Sequence, residues 1–126
     1  MQVEVLQNEL REFAAARDWE QFHSPKNLAM ALAVEAAELM EPFQWLTEEQ
    51  SRRLAERPED YRAVGEELAD VQIYLLRLAD LLGIDLEEAV SQKMAKNAEK
   101  YPIELARGNA VKYNRRAAGP DSVAAS

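Results

Sequence analysis

An all-α fold of four to five helices, assembled as an oligomer, is what the sequence predicts, and three observations predict it. Apolar residues recur at helical spacing through most of the chain, helix-start and helix-stop signals punctuate it, and no strand pattern competes with them. Only 4 glycines and 5 prolines interrupt the 126 residues, while 48% are hydrophobic, which is the composition of an ordered helical protein.

The first helix runs from about Val3 to Arg17, because Val3, Leu6, Leu10, Phe13 and Ala14 form one apolar stripe. It passes into an aromatic loop, Asp18-Trp19-Glu20-Gln21-Phe22-His23. Ser24 and Pro25 read as the N-cap and first position of the second helix, which Pro42 stops. Thr47-Glu48-Glu49-Gln50 has the form of a capping box ahead of a short third helix closing near Arg57-Pro58. The longest helix is expected from about Asp60 to Leu82, with Gly83 as its terminator. Asp85-Leu86-Glu87-Glu88 is another capping box, Ile84 is placed to staple onto Ala89, and the helix opened there ends at Pro102. One domain is expected over residues 1–113, and the small, polar residues 114–126 are expected to form a disordered tail.

Composition excludes several classes of function. A formal net charge of -8 argues against a protein that tracks a nucleic-acid polymer, although a divalent cation can still bridge an acidic site to a single nucleotide. Cysteine is absent, which removes disulfides, thiolate zinc sites and cysteine nucleophiles and suits a reducing compartment. The N-terminus lacks the basic start and apolar block of a signal peptide, and the apolar runs are too short or too interrupted to span a bilayer. A cytoplasmic protein without membrane partners is expected.

Chemistry enters through acids in the wrong places. Between Leu28 and Met40 the only polar residues are Glu35 and Glu38, and the longest helix repeats the pattern with Glu67 and Asp70. Each pair is spaced i, i+3 and so shares a helix face, Glu35 with Leu28, Leu32 and Leu39, and Glu67 and Asp70 with Ala63, Val71, Tyr74 and Leu78. Ionised carboxylates taken out of water cost several kcal/mol each unless a cation or a hydrogen-bond network compensates them. If the two helices pack through these faces, the four acids converge on a hard ion such as Mg²⁺ or Mn²⁺, since oxygen donors without Cys or His disfavour zinc. The competing reading makes them surface acids or partners of buried Arg and Lys. Glu41 and Glu66, one helical step away, orient a water, bind a second metal or face solvent.

Two further features suit a nucleotide. Lys93, Asn97 and Lys100 form an i, i+4, i+7 row fit either for phosphates or for plain solvent. Trp19, Phe22 and His23 crowd one loop and Trp45 follows Pro42, aromatic planes that stack a base or plug the core. The second and fourth helices are apolar on more sides than so small a chain can cover, hence the expected oligomer.

Glu35-x-x-Glu38 followed by Glu67-x-x-Asp70 resembles the signature of the all-α nucleoside triphosphate pyrophosphohydrolases, the MazG-like superfamily. The segments Arg17 to His23, Phe43-Gln44-Trp45, Asp70 to Leu75 and Lys93-x-x-x-Asn97-x-x-Lys100-Tyr101-Pro102 resemble its dCTP pyrophosphatase branch, over about Leu6 to Tyr113. The resemblance implies a Mg²⁺-dependent hydrolase, with Mn²⁺ a possible substitute, that converts a nucleoside triphosphate such as dCTP or a modified relative to monophosphate and pyrophosphate. It implies a homotetramer that clears unwanted nucleotides. Carried over, Glu35, Glu38, Glu67 and Asp70 hold the metal; the chemistry of the step then calls for a carboxylate to accept the proton of the attacking water, Glu38 being the first candidate. Trp19, Glu20, Gln21, Phe22, His23, Trp45 and Tyr74 line the nucleoside site, and Lys93, Asn97 and Lys100 face the phosphates. One departure bears on base or sugar preference: animal members carry a histidine on the first helix where this chain has Leu10. Two other classes compete. A ferritin-like di-iron bundle would use Glu-x-x-His pairs, which these motifs lack. A non-catalytic helical module would explain the apolar faces and leave the acids unexplained.

Overall fold

In the computed structural model, which describes residues 1–112, every regular element among those residues is helical. The order is α1 (Val3–Ala16), α2 (Pro25–Met40), α3 (Glu48–Arg52), α4 (Pro58–Leu82), α5 (Leu86–Lys100) and α6 (Ile103–Ala106), with 3₁₀ turns at Glu20–Phe22, Glu41–Phe43 and Leu54–Glu56. The chain divides into one unit over Met1–Leu86 and a second from Glu87 onward. The expected disordered tail, 114–126, lies outside the described residues.

In the first unit α2 packs along α4, and α1 packs on α4 as well. Leu28 and Leu76, at 1% and 2% exposure, anchor the core together with Ala14, Val64 and Ala79. Gln7 is buried with them, and its Nε2 donates to the Leu76 carbonyl at 3.0 Å, so a polar group on the inner face of α1 is satisfied.

Local chemistry explains where the helices begin and end. Ser24 Oγ accepts the Asn27 backbone N–H at 3.1 Å with Pro25 at the first helical position, while the Asn27 side chain ties back to the Phe22 carbonyl at 3.1 Å. After Met40 the chain tightens into the Glu41–Phe43 3₁₀ turn, because Pro42 has no N–H with which to continue the α-helical ladder. The capping box at Thr47 and Gln50 is present in both directions.

Three boundaries differ from the expected ones. The third helix stops at Arg52 and the chain reaches Arg57 through a 3₁₀ turn. Pro58 does not merely close that segment. It opens α4 two residues earlier than Asp60, since a proline at the first helical position gives up an N–H that would be unpaired anyway. A short helix, α6, also follows Pro102.

Two helix ends close in left-handed turns. Asp18 adopts φ 54° after α1, and the Trp19 and Asp18 N–H groups bond to the Ala14 and Ala15 carbonyls, which turns Trp19 back over the helix end. Gly83 closes α4 at φ 68° with the matching Ile84 to Ala79 bond at 2.9 Å. No atom stands within 4 Å of where a Gly83 Cβ would lie, so Gly83→Ala carries only a conformational cost. We expect a loss of about 1–2 kcal/mol in chemical denaturation, with the site's ligand binding unchanged.

Candidate functional site

Because α2 lies along α4, the stripe of α2 that carries Glu35 and Glu38 meets the α4 face that carries Glu67 and Asp70. Glu35, Glu38 and Glu67 each offer a carboxylate oxygen, and the three oxygens lie within 4.8 Å of one another. Asp70 stands outside that trio. Its side chain is one methylene shorter, and its charge nevertheless reaches both Glu35 and Glu67.

The electrostatics are those of crowded, poorly hydrated acids. Burial first, then hydrogen bonds with Glu38 and Glu67, then the charges of Glu38 and Asp70, push the Glu35 carboxyl up to about 7. Glu67 is also raised, chiefly by burial, although its hydrogen bond with Glu35 opposes the shift. One oxygen on each of Glu35 and Glu67 is buried without a hydrogen-bond partner. Among the described residues no Lys or Arg forms an ion pair with any of the four acids, so the reading that makes them partners of buried basic residues finds no partner. Orphaned oxygens, like-charge crowding and an all-carboxylate donor set fit a hard divalent cation held by Glu35, Glu38 and Glu67, with Asp70 adjacent.

One turn along α4 from Asp70, a cleft of about 300 Å³ opens between α1, the aromatic loop and α4. Leu10, Phe13 and Ala14 form one wall, Trp19 and His23 another, and Ile73, Tyr74 and Arg77 the third. The rings are mutually edge-on: Phe13 and Trp19 have centroids 5.7 Å apart, and Trp19 and His23 6.4 Å apart. Cation and ring also meet outside, where Arg17 lies 3.5 Å from the centroid of Phe13.

Of the nucleoside-site candidates, Trp19, His23 and Tyr74 line this cleft and the rest do not. Gln21 is turned to Asp18, bonding its carbonyl and carboxylate at 3.0 and 3.1 Å, and Phe22 is exposed. Glu20 faces a neighbouring groove with Arg11, Arg77 and Asp80. Trp45, beyond the Glu41–Phe43 turn, is 87% exposed. Lys93, Asn97 and Lys100 belong to the second unit, where their spacing aligns them along α5. Phe13, expected only on the apolar stripe of α1, Ile73 and Arg77 also line the cleft and were not among the expected site residues. An arginine inside Tyr74-Leu75-Leu76-Arg77-Leu78-Ala79 was as anomalous as the acids and carried the same kind of signal.

Comparison with known proteins bears on this arrangement. A family model described as the MazG-like family matches residues 30–115. The chain is 50% identical over 102 residues to dCTP pyrophosphatase 1 of Rattus norvegicus and 49% identical to that of Homo sapiens, an overlap of 81% of this chain and 60% of each relative. It thus spans about 60% of the length of those relatives. The crystal structure of a pyrophosphatase from Archaeoglobus fulgidus superimposes with a TM-score of 0.74 at 46% identity, covering 81% of this chain and 94% of that one.

Proposed function

The chain belongs to the MazG-like family, and on that premise we propose that it is a divalent-metal-dependent nucleotide pyrophosphohydrolase acting on dCTP or a closely related nucleotide. The single observation that carries the reading is the convergence of Glu35, Glu38 and Glu67 with two buried, unpartnered carboxylate oxygens, one turn from an aromatic cleft. A Mg²⁺ ion held by these acids and Asp70, with Mn²⁺ a substitute, would supply charge neutralisation on the phosphates and an acidified water.

The chain's own residues account for the remainder. Trp19 and Tyr74 hold the nucleoside in the cleft, orienting the triphosphate toward the acids along α4. Glu38, on the shared face of α2 beside Glu35, accepts the proton of the attacking water. No side-chain nucleophile is required, and the products are a nucleoside monophosphate and pyrophosphate. The relatives' name supports the choice of dCTP, and Leu10 in the cleft wall marks a point where its fit to the base or sugar is tuned.

A panel of canonical and modified NTPs and dNTPs, incubated with EDTA, Mg²⁺ or Mn²⁺ and analysed for pyrophosphate and phosphate, tests this. Pyrophosphate released only with metal is the expected result. A protein that binds nucleotide without turnover under every metal would instead be the non-catalytic module.

The proposal includes a homotetramer in the cytoplasm. Met30, Val34 and Met40 of α2 and Leu68 of α4 stand 53–68% exposed in the isolated chain, too much apolar surface on the two acid-bearing helices to leave in water. Light scattering should report about four times 14.3 kDa, and a monomer at micromolar concentration with full activity would refute the assembly.

A further inference from the structure

Arg77 is the one charged side chain among the most buried residues of the first unit, at 5% exposure, and the proposed chemistry has not used it. Its Nε lies 3.3 Å from Nδ1 of His23, and its Nη1 3.7 Å from Asp80 Oδ2. Asp80 is itself gripped by Arg11, whose Nε and Nη2 donate to its two oxygens at 2.7 and 3.1 Å. A line of four side chains therefore runs from the outer face of α1 to the cleft: Arg11, Asp80, Arg77, His23. A buried ion pair gains little over apolar side chains of the same volume, so stability alone does not account for an arginine here.

The chemistry of the contact fixes a tautomer. A guanidinium has donors only and stays charged, so the nitrogen of His23 that faces it must present a lone pair. The imidazole proton is then on Nε2. Burial and the Arg77 cation both hold the ring in its neutral form, with Glu20 alone opposing them.

We propose that Arg77 is a positioning residue for base selection: by donating to Nδ1 it locks His23 as the Nε2–H tautomer, so that the cleft offers a donor to the acceptor edge of a pyrimidine. This rests on the nucleotide reading given above. O2 accepts in all three pyrimidines and does not distinguish them, but cytosine also accepts at N3, where thymine and uracil carry a hydrogen, so an Nε2–H directed at N3 bonds cytosine and meets a second donor in the other two. A site built around one fixed donor rejects such a mismatch more sharply than an apolar cleft rejects a change of shape. Trp19 and Tyr74 supply affinity for any base, and the locked imidazole supplies the choice among them. Asp80, held in place by Arg11, keeps the guanidinium from swinging away.

His23 is the only histidine in the chain, so ¹⁵N-histidine labelling reads this tautomer without assignment. The wild-type protein should show an unprotonated Nδ1 and a protonated Nε2. In Arg77→Met, where Asp80 keeps Arg11 as its partner, the two tautomers should mix. In steady-state assays the Met variant should raise KM for dCTP about tenfold, the scale of one hydrogen bond, with kcat little changed and the preference for dCTP over dTTP and dUTP falling in step. Arg77→Lys, a shorter donor, should restore part of both. A wild-type Nδ1–H tautomer overturns the proposal, and so does a Met variant with unchanged KM and selectivity. If the Met variant fails to fold, the wild-type tautomer and the Lys variant decide alone. Wild-type protein that cleaves no nucleotide while holding the Nε2–H tautomer counts against the functional reading and not against the Arg77 to His23 contact.

Discussion

Glu35→Gln should abolish turnover while leaving the metal-free protein as stable as wild type at pH 4, where Glu35 is protonated both folded and unfolded, and more stable at pH 8. Glutamine keeps the shape of the protonated acid, which is the form Glu35 holds below about 7, and it cannot ionise among Glu38, Glu67 and Asp70 at higher pH. The same change removes a ligand from the cation, so the rise in melting temperature produced by Mg²⁺ should shrink or vanish. A Glu35 whose role was purely structural, paired with a buried cation, predicts the reverse: a destabilised metal-free variant with its Mg²⁺ response intact. Melting curves of both proteins in EDTA and in Mg²⁺ at the two pH values separate these outcomes.

Stability without metal should fall as pH rises from about 4.5 to about 7 and stay low above it. Over that window the folded state retains protons on Glu35 and Glu67 that the unfolded chain has released, so each increment of pH favours unfolding. A divalent cation should reverse the trend, because it binds the ionised acids and competes with those protons. At a hundred times its Kd the ion adds about 2.7 kcal/mol, roughly a 10 °C rise in Tm for a chain of this size. The rise should be larger at pH 8 than at pH 6. Equal Mg²⁺ shifts at the two pH values, with a flat metal-free profile between them, would mean that the acids are not coupled to the ion.

The helices and the acid cluster were legible for the same reason. Ser24-Pro25, the Thr47 to Gln50 box and Gly83 carry their geometry in local chemistry, and each forms the cap or stop it announces. Glu35, Glu38 and Glu67 stood out because acids at i, i+3 on an apolar face are improbable without compensation, and helix periodicity alone brings them to one side. The start of α4 was misjudged because proline both ends and begins helices, and only the 3₁₀ turn before Pro58 decides which.

The cleft was half legible. Trp19, His23 and Tyr74 could be proposed as ring or polar groups near the motifs, but their grouping with Phe13, Ile73 and Arg77 depends on α1 crossing α4, a tertiary fact with no local signature. Arg77 was overlooked although it sits on the same helix as Glu67 and is just as anomalous, because a single basic residue lacks the doubled motif that made the acids conspicuous. Trp45 was expected either to stack a base or to plug the core; beyond the Glu41–Phe43 turn it is 87% exposed in the isolated chain, which argues against the plug.

The central claim, that the acids serve hydrolysis of a nucleotide between its α- and β-phosphates, is tested most directly by turnover in ¹⁸O-labelled water followed by mass analysis of both products. Water attacking the α-phosphorus places the label in the nucleoside monophosphate and none in pyrophosphate. Label in pyrophosphate, or release of single phosphate, would contradict the account.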